Sequence, residues 1–445
     1  MEKKKVCRSS KLNKLKFWLV TVDMGYGHQR AAYPLRRFAY QGVINANTYK
    51  GIPAKDKATW ENQRKFYEFV SRFKRVPVVG DAVFSIMDWI QEIPKFYPKR
   101  DLSKPSLQVL AATYQISHAD WGKHLIARLA KHPLPLVTPF FATAIMAEVN
   151  NYPGEIYCII CDADISRAWA AVAPGKSRIK YFAPNQRVVE RLQEYGVAKN
   201  RIYLTGFPLP DENLGCPDFK ILRDDLKNRF LNLDPNRIYL NKYKETLLKK
   251  LKIKSFPLKS NHPLTLTFAI GGAGAQRELG VAIIKYLAAK IKAKKITVIL
   301  VAGIHHQISH YYRQAVIDLG LGGELNKGVK IIFERHKHDY FKTFNACLRK
   351  TDILWTKPSE LCFYSALGLP IIIAPPIGSQ EDFNRQWLIY LGVGVKQEKP
   401  QYVAQWLFDW LESGRLAEAA AQGFLDAPHS GVYNIVKIVG QEIKN

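Results

Sequence analysis

Four short stretches of this 445-residue chain gather residues that could do chemistry. The first is Asp23-Met24-Gly25-Tyr26-Gly27-His28-Gln29-Arg30-Ala31-Ala32, after an apolar run at 17–22. Gly25 and Gly27 let the backbone turn tightly and approach a ligand. His28, at the mouth of that turn, can serve as a general base or donate to an anion, or it can simply cap the helix that the alanines begin. The second is Asp162-Ala163-Asp164, at the end of the apolar run 156–161. Either Asp162 or Asp164 could act on a hydroxyl, or cap the next turn. The third is Gly271-Gly272-Ala273-Gly274-Ala275-Gln276, after the apolar run 264–270. The fourth is Thr356-Lys357-Pro358-Ser359-Glu360, which opens a helix, followed by a second loop and helix start at 375–381.

The elements that must hold these residues follow from periodicity. Residues 351–395 read as strand, loop, helix, strand, loop, helix, and the run 371–374 is apolar on both faces, as a buried parallel strand requires. Two successive helix N-termini then open at one edge of a parallel sheet, where N–H groups and dipoles favour a phosphate. The alternative is an ordinary pair of βα units with no ligand. Further strands are expected at 17–22, 107–110, 134–137, 156–161, 180–183, 201–205, 264–270, 296–302 and 329–334. Helices are expected at 60–73, 118–129, 140–149, 185–195, 241–252, 278–292, 401–412 and 433–442. The pattern is α/β, with two doubly wound halves, each starting in a glycine turn after its first strand. A large nucleotide-bearing ligand would lie in the cleft between them.

The halves divide as 1–210, a first domain with a basic helical insertion near 55–100, and 263–425, a second domain. Residues 211–262 read as a charged linker or insertion, and 426–445 as a final helix crossing back to the first domain. The net charge of +28 and pI of about 9.7 imply attraction to polyanions. Nucleic acid is not expected, because no nucleic-acid motif accompanies the charge. Basic runs at 3–16, 64–75 and 242–259 are either solvated faces or, with Phe66, Tyr67, Phe69 and Phe73 beside them, a surface for anionic membrane lipids.

No apolar run is long enough to span a bilayer, and the first is too short for a signal peptide. Six cysteines without regular pairing fit a reducing compartment. The expected location is cytoplasmic, with peripheral association at the inner membrane face. Cys158 and Cys161 form a lone CxxC inside a strand and read as buried small residues. His306 and His310 lack a third ligand for zinc.

Four segments together resemble the GT-B glycosyltransferases, and within them the branch of MurG, monogalactosyldiacylglycerol synthase and processive diacylglycerol glucosyltransferase. They are GYGHQRAA at 25–32, CDADISRAWAA at 161–171, GGAGAQ at 271–276, and TKPSEL with LGLPIIIAPPIGSQEDFN at 356–384. The resemblance implies a donor nucleotide diphosphate-sugar, a UDP-sugar, held by the C-terminal domain. His28 matches the Gly-His position near the reacting centre. Gly271, Gly272, Gly274 and Gln276 match the glycine turn at the diphosphate. Arg335 and His336 lie where the base-binding loop sits, and Gln380 and Asn384 match the pair that contacts donor ribose and sugar. Where the branch carries a ribose-binding Glu deeper in its helix, this chain has Phe363 or Tyr364, and the acid stands at Glu360.

The implied reaction is hexosyl transfer. His28, with Asp162 or Asp23 as lesser candidates, takes a proton from an acceptor hydroxyl. Leaving diphosphate charge falls on helix N-termini near 272–277 and 358–361, with Lys357, Ser359 and Arg277 beside them. Gly25, Gly27 and Asp164 belong to the acceptor side. No metal and no cofactor are expected besides the donor substrate, and no oligomeric state is implied. The alternatives are a nucleotide-sugar epimerase or hydrolase on the same fold, and a non-catalytic protein that binds nucleotide sugars or polyanions.

Overall fold

The computed structural model describes residues 15–73, 93–215, 217–271, 274, 276–376 and 379–442. The basic residues at 3–14, Gly272, the side chains of Phe66, Tyr67, Phe69 and Phe73, and all but Ile93 of a further apolar face that the sequence predicts at 78–93 lie outside that description. The chain forms two compact units. The first comprises residues up to Leu209, a short stretch ending at Phe383, and residues from Ser430 onward; the second comprises Pro210–Pro376 and Asn384–His429.

The first unit is built on six parallel strands. They are β1 (Phe17–Thr21), β2 (Ala39–Asn45), β3 (Leu136–Thr138), β4 (Ile156–Ile159), β5 (Lys180–Ala183) and β6 (Ile202–Leu204), in the order β2-β1-β3-β4-β5-β6. Every residue of β1, β3 and β4 is buried, as sequences apolar on both faces require when helices cover both sides. Its helices are α1 (Gly27–Ala32), α2 (Ala54–Phe73), α3 (Leu107–His118), α4 (Lys123–Ala130), α5 (Phe141–Val149) and α6 (Gln186–Glu194).

The strand expected at 107–110 is instead the first turn of α3. Ser106 caps that helix, its hydroxyl accepting from the Val109 N–H at 3.4 Å. Only Val109 of this turn is buried, so its apolar residues do not mark one sheet face. Strand β2 carries no apolar alternation and was not expected. It is an edge strand, exposed over Gln41–Val43, with a bulge at the left-handed pair Gln41 and Gly42.

The second unit repeats the plan with β7 (Thr265–Ala269), β8 (Thr297–Gly303), β9 (Val329–Phe333), β10 (Ile353–Thr356), β11 (Ile371–Ile373) and β12 (Gly394–Lys396). All pairs are parallel, in the order β9-β8-β7-β10-β11-β12. Residues expected as a charged linker form α7 (Lys220–Leu233) and α8 (Ile238–Leu251), which belong to this unit. Arg229 of α7 is fully buried and donates to the carbonyls of Leu348, Thr351 and Leu367. It thereby satisfies orphan acceptors at helix ends beneath β10. The longer helices of this unit include α9 (Arg277–Lys292), α10 (His306–Asp318), α11 (Lys337–Leu348), α12 (Ser379–Tyr390, whose residues up to Phe383 group with the first unit), α13 (Val403–Glu412) and α14 (Arg415–Asp426). The last helix, α15 (Gly431–Glu442), is part of the first unit, where the Asn434 amide donates to the Thr205 carbonyl at 2.8 Å.

The fold class is the expected α/β, with two doubly wound Rossmann-like domains. Strand order reverses between β1 and β3 in the first unit and between β7 and β10 in the second. In open α/β sheets, ligands bind beyond the carboxyl ends of strands at such a reversal. Among the described residues, no helix is long and apolar enough to cross a membrane.

Candidate functional sites in the two units

In the first unit the reversal is marked by a direct bond. His28, on α1 after β1, points its Nδ1 at the Pro139 carbonyl oxygen, 2.8 Å away in the loop after β3. A carbonyl only accepts, so Nδ1 carries the hydrogen and the neutral ring keeps its lone pair on Nε2. That is the tautomer a general base needs. Phe140 meets the ring edge-on at 4.9 Å, Trp169 lies at 6.4 Å, and the Cys161 sulfur is 3.4 Å from Nδ1. The loop before His28 is fixed to the loop after β2: the Asp23 N–H donates to Asn47 Oδ1 at 2.9 Å, and the Asn47 amide donates to the Asp23 carbonyl at 3.2 Å. Gly25 sits there at φ +86°, a conformation that a side chain would strain. Gly27 is the first residue of α1.

His28 and Asp162 line one cavity of about 430 Å³. Its wall also includes Met24, Trp121, Phe140, Phe141, Ser166 and Trp169, and Gln63, Leu107, Gln108 and Gln115 from α2 and α3. The two acids of the Asp-Ala-Asp stretch part company. Asp162 joins the cavity, whereas Asp164 is 3% exposed and binds the buried Arg191 through both oxygens at 2.9 Å. The Asp164–Arg191 pair is part of a frame that holds the cavity loop. The Tyr195 hydroxyl donates to the Ile165 carbonyl at 2.7 Å, the Tyr181 hydroxyl donates to the Trp169 carbonyl at 3.1 Å, and Arg167 donates to the carbonyls of Ser103, Ala170 and Ala171. Burial pushes the Tyr181 and Tyr195 hydroxyls well above their usual pKa, so both stay donors across the working range.

In the second unit, four strand ends converge. The Lys357 side chain, from the loop after β10, lies across Gly271 after β7; a Cβ at Gly271 would overlap Lys357 Cε and stand 3.5 Å from its Nζ. Gly274 has φ +67° and packs against Ile308 and His305 after β8. Gln276, immediately before α9, donates through its amide to the Pro375 carbonyl after β11 at 2.8 Å. Below Lys357, the Thr356 hydroxyl donates to the Ala269 carbonyl at 3.0 Å, tying β10 to β7 at the reversal.

Ser359 and Glu360 are half-buried, and Glu360 opens a 3-10 helix, Glu360–Leu367, where an α-helix was expected. Phe363 and Tyr364, at the position where the related branch carries its acid, are buried against Trp387 and Phe344. Asn384 is 1% exposed and donates to the Pro358 carbonyl at 3.3 Å, so it braces the Lys357 loop. Gln380, expected among the donor-binding residues, is half-buried in the first turn of α12, but that turn groups with the first unit, and Gln380 lines the cavity of His28 and Asp162. Arg335 and His336 stand exposed after β9.

The cysteines and histidines outside these sites carry less. Cys158 is fully buried and its thiol pKa is raised by that burial, whereas Cys161 sits against His28. His306 and His310 are exposed on α10. Among the described residues, no three potential ligands cluster to hold a metal.

A family model described as a domain of unknown function (DUF6938) matches residues 252–320, which include β7, α9, β8 and α10. No curated protein matches the chain in sequence. Among solved structures, a UDP-GlcNAc 2-epimerase from Neisseria meningitidis bound to UDP-GlcNAc is similar at 15% identity, covering 77% of this chain and 84% of that one, with a TM-score of 0.44. A UDP-GlcNAc 2-epimerase from Methanocaldococcus jannaschii in complex with UDP-GlcNAc and UDP is similar at 11% identity, covering 97% and 100%, with a TM-score of 0.42. A glycosyltransferase from Rickettsia africae ESF-5 is similar at 14% identity, covering 76% and 82%, with a TM-score of 0.40. At these identities and scores, the likeness carries no residue role and no activity from those proteins to this chain.

Several residues at the two sites were not anticipated. Trp121, Phe140, Trp169, Gln108 and Gln115 line the first cavity, and His305, after β8, stands beside Gly274. The legible signal was Phe140-Phe141 directly after the third strand, at the reversal. The glutamines give none, because the sequence around them predicts a strand at 107–110 rather than a helix.

Proposed function

We propose that the chain is a glycosyltransferase that binds a nucleotide diphosphate-sugar in its second unit and takes an acceptor hydroxyl into the cavity of its first. One observation carries this reading: the Lys357 ammonium laid over the Gly271 turn at the strand reversal. A cation above a side-chain-free turn, with the α9 N-terminus opening behind it, is an arrangement suited to a diphosphate. His28, fixed in the Nε2-basic tautomer, is the proposed base that takes the acceptor proton. The donor is a substrate, and the proposed reaction needs no resident cofactor.

The first-unit cavity favours transfer over epimerisation or hydrolysis, because a room of about 430 Å³ beside the base is what an acceptor requires. Peripheral association with anionic lipid belongs to the same proposal. Leu107, Leu110 and Tyr114 are 57%, 41% and 63% exposed on one face of α3, and Lys95, Arg100 and Lys104 stand exposed just before that helix.

The deciding experiment is isothermal titration of the full chain with UDP, UDP-glucose and UDP-GlcNAc, followed by product analysis with and without added acceptor. Binding of the nucleotide sugars, with sugar transferred only when acceptor is present, is the expected result. Conversion of the nucleotide sugar without acceptor would replace transfer by epimerisation or hydrolysis. No binding of any of the three would overturn the reading.

A further inference from the structure

We infer that the second unit carries its own docking surface for an anionic lipid bilayer, formed by α8 and the loop after it, with the Leu258 side chain as its point of insertion. The inference does not rest on the transferase reading, and its residues lie in a different unit from the α3 face. Helix α8 packs inward through Leu240, Leu247 and Leu251, which are 3%, 1% and 0% exposed. At that spacing one stripe of the helix is buried and the rest meets solvent. Between residues 237 and 259 the chain holds Arg237, seven lysines and a single acid, Glu245, and all of these are exposed. The lysines run from Lys242 to Lys259, along the helix and past its end. A compact anion would meet only part of such a row, whereas a plane of lipid headgroups can meet its whole length.

The loop holds an apolar side chain out among these cations. Phe256 is half-buried and meets Phe230 of α7 edge-on at 6.2 Å, and the Leu258 carbonyl accepts from the Arg237 guanidinium at 3.5 Å. Both contacts tie the loop to the body of the unit, yet Leu258 itself is 93% exposed, with Lys259 next to it and Lys254 four residues before. An aliphatic side chain held in water gains nothing from the fold, and gains on entering the interfacial layer of a bilayer. Ile238 and Tyr243, 52% and 38% exposed, add apolar surface beside the lysines. The lysine stems can lie along lipid while their ammoniums stay at the headgroups. A nucleic acid would match the charge but offers Leu258 no apolar medium, so an anionic bilayer is the partner that uses both features.

The test is co-sedimentation of the full chain with vesicles of phosphatidylcholine alone and of phosphatidylcholine mixed with phosphatidylserine. The chain also carries Leu110→Glu and Tyr114→Glu, so that the α3 face does not contribute. Binding to the mixed vesicles should persist and exceed binding to the neutral ones. Leu258→Ser should weaken it about tenfold, the loss of one leucine side chain from an apolar medium. Leu258→Trp should strengthen it, since indole favours the membrane interface. Lys254→Gln combined with Lys259→Gln should weaken it at least about tenfold, at roughly fivefold for each lysine near an anionic surface. All three variants should keep the parent melting temperature, because the side chains they replace are exposed.

Equal binding to neutral and anionic vesicles, or binding unchanged in a folded Leu258→Ser, would overturn the inference. So would tighter binding of oligouridine than of anionic vesicles at the same salt, which would assign the lysines to nucleic acid. Loss of all vesicle binding on the two α3 substitutions alone would also overturn it, and would leave the α3 contact standing.

Discussion

His28 and Pro139 are joined across the strand reversal of the first unit by a bond from Nδ1–H to a main-chain carbonyl, 2.8 Å long. The partner is backbone, so its acceptor character is fixed by the fold. The bond therefore sets both the ring's orientation and its tautomer, and it leaves Nε2 as the basic atom. Replacing His28 by Ala should lower transfer turnover by about 10²–10⁴-fold, the usual contribution of a positioned base, with little change in melting temperature. Retention of full turnover in a folded His28→Ala would assign the base to another group, with Asp162 the first to examine.

In the second unit, Lys357 and Gly271 occupy adjoining space, and that makes their substitutions interdependent. Lys357→Ala should weaken UDP binding by about 1.5–3 kcal/mol, or roughly ten- to a hundredfold, the worth of a hydrogen bond to a charged group. Gly271→Ala should cause a similar loss, because its Cβ would displace the Lys357 stem. The double variant should lose little more than Lys357→Ala alone, since the displaced group is already gone. Calorimetry on the four proteins of this cycle measures the coupling; strictly additive losses would show that Lys357 does not hold the diphosphate over Gly271.

The chain is strongly basic, yet no Lys or Arg is among the described residues that line the first-unit cavity. Lys95, Arg100 and Lys104 stand exposed just before α3, which itself exposes Leu107, Leu110 and Tyr114. Co-sedimentation with vesicles should rise with the fraction of anionic lipid and fall as salt screens the surface. Leu110→Glu and Tyr114→Glu should each reduce binding at fixed salt without lowering the melting temperature. Binding indifferent to lipid charge, or unchanged in both variants, would remove the membrane from the proposal.

The strands were legible wherever burial on both faces made the sequence continuously apolar, as in β1, β4, β8 and β10. Edge strand β2 was not, because exposed Gln41, Gly42 and Val43 break the pattern. The first turn of α3 carries a strand-like apolar pattern because its apolar residues meet different surroundings: Val109 is buried, Leu107 is exposed beside the cavity, and Leu110 is exposed. At the sites, glycine turns and His28 stood out because few residue types suit such positions. The cavity glutamines and Trp121 did not, since their meaning depends on what faces them. Asp162 and Asp164 were equivalent in sequence; only the position of Arg191, 27 residues on from Asp164, separates the cavity acid from the structural one.

At the base of the second sheet, His262 and Asp352 form a buried pair that makes a last prediction about stability. Asp352 is fully buried and accepts from His262 Nε2 at 3.1 Å, the Asn232 amide at 2.9 Å and the Thr265 N–H at 2.8 Å. Burial raises the Asp352 pKa above the usual carboxylate range, and the His262 hydrogen bond works against that rise. His262→Leu removes the opposing interaction, so the pKa in the folded state should climb further. A carboxyl whose folded pKa is raised stabilises the fold while it stays protonated, and that advantage is lost as pH rises through the folded pKa. The variant should therefore lose about 3–5 kcal/mol of unfolding free energy at neutral pH, as a broken buried pair does, and progressively less as the solution is acidified through the raised Asp352 pKa. Urea melts of both proteins at neutral and mildly acidic pH measure the difference. A loss of the same size at every pH would mean that His262 contributes packing alone. Adding Asp352→Asn to the variant should flatten the pH dependence, because no buried carboxylate then remains to titrate.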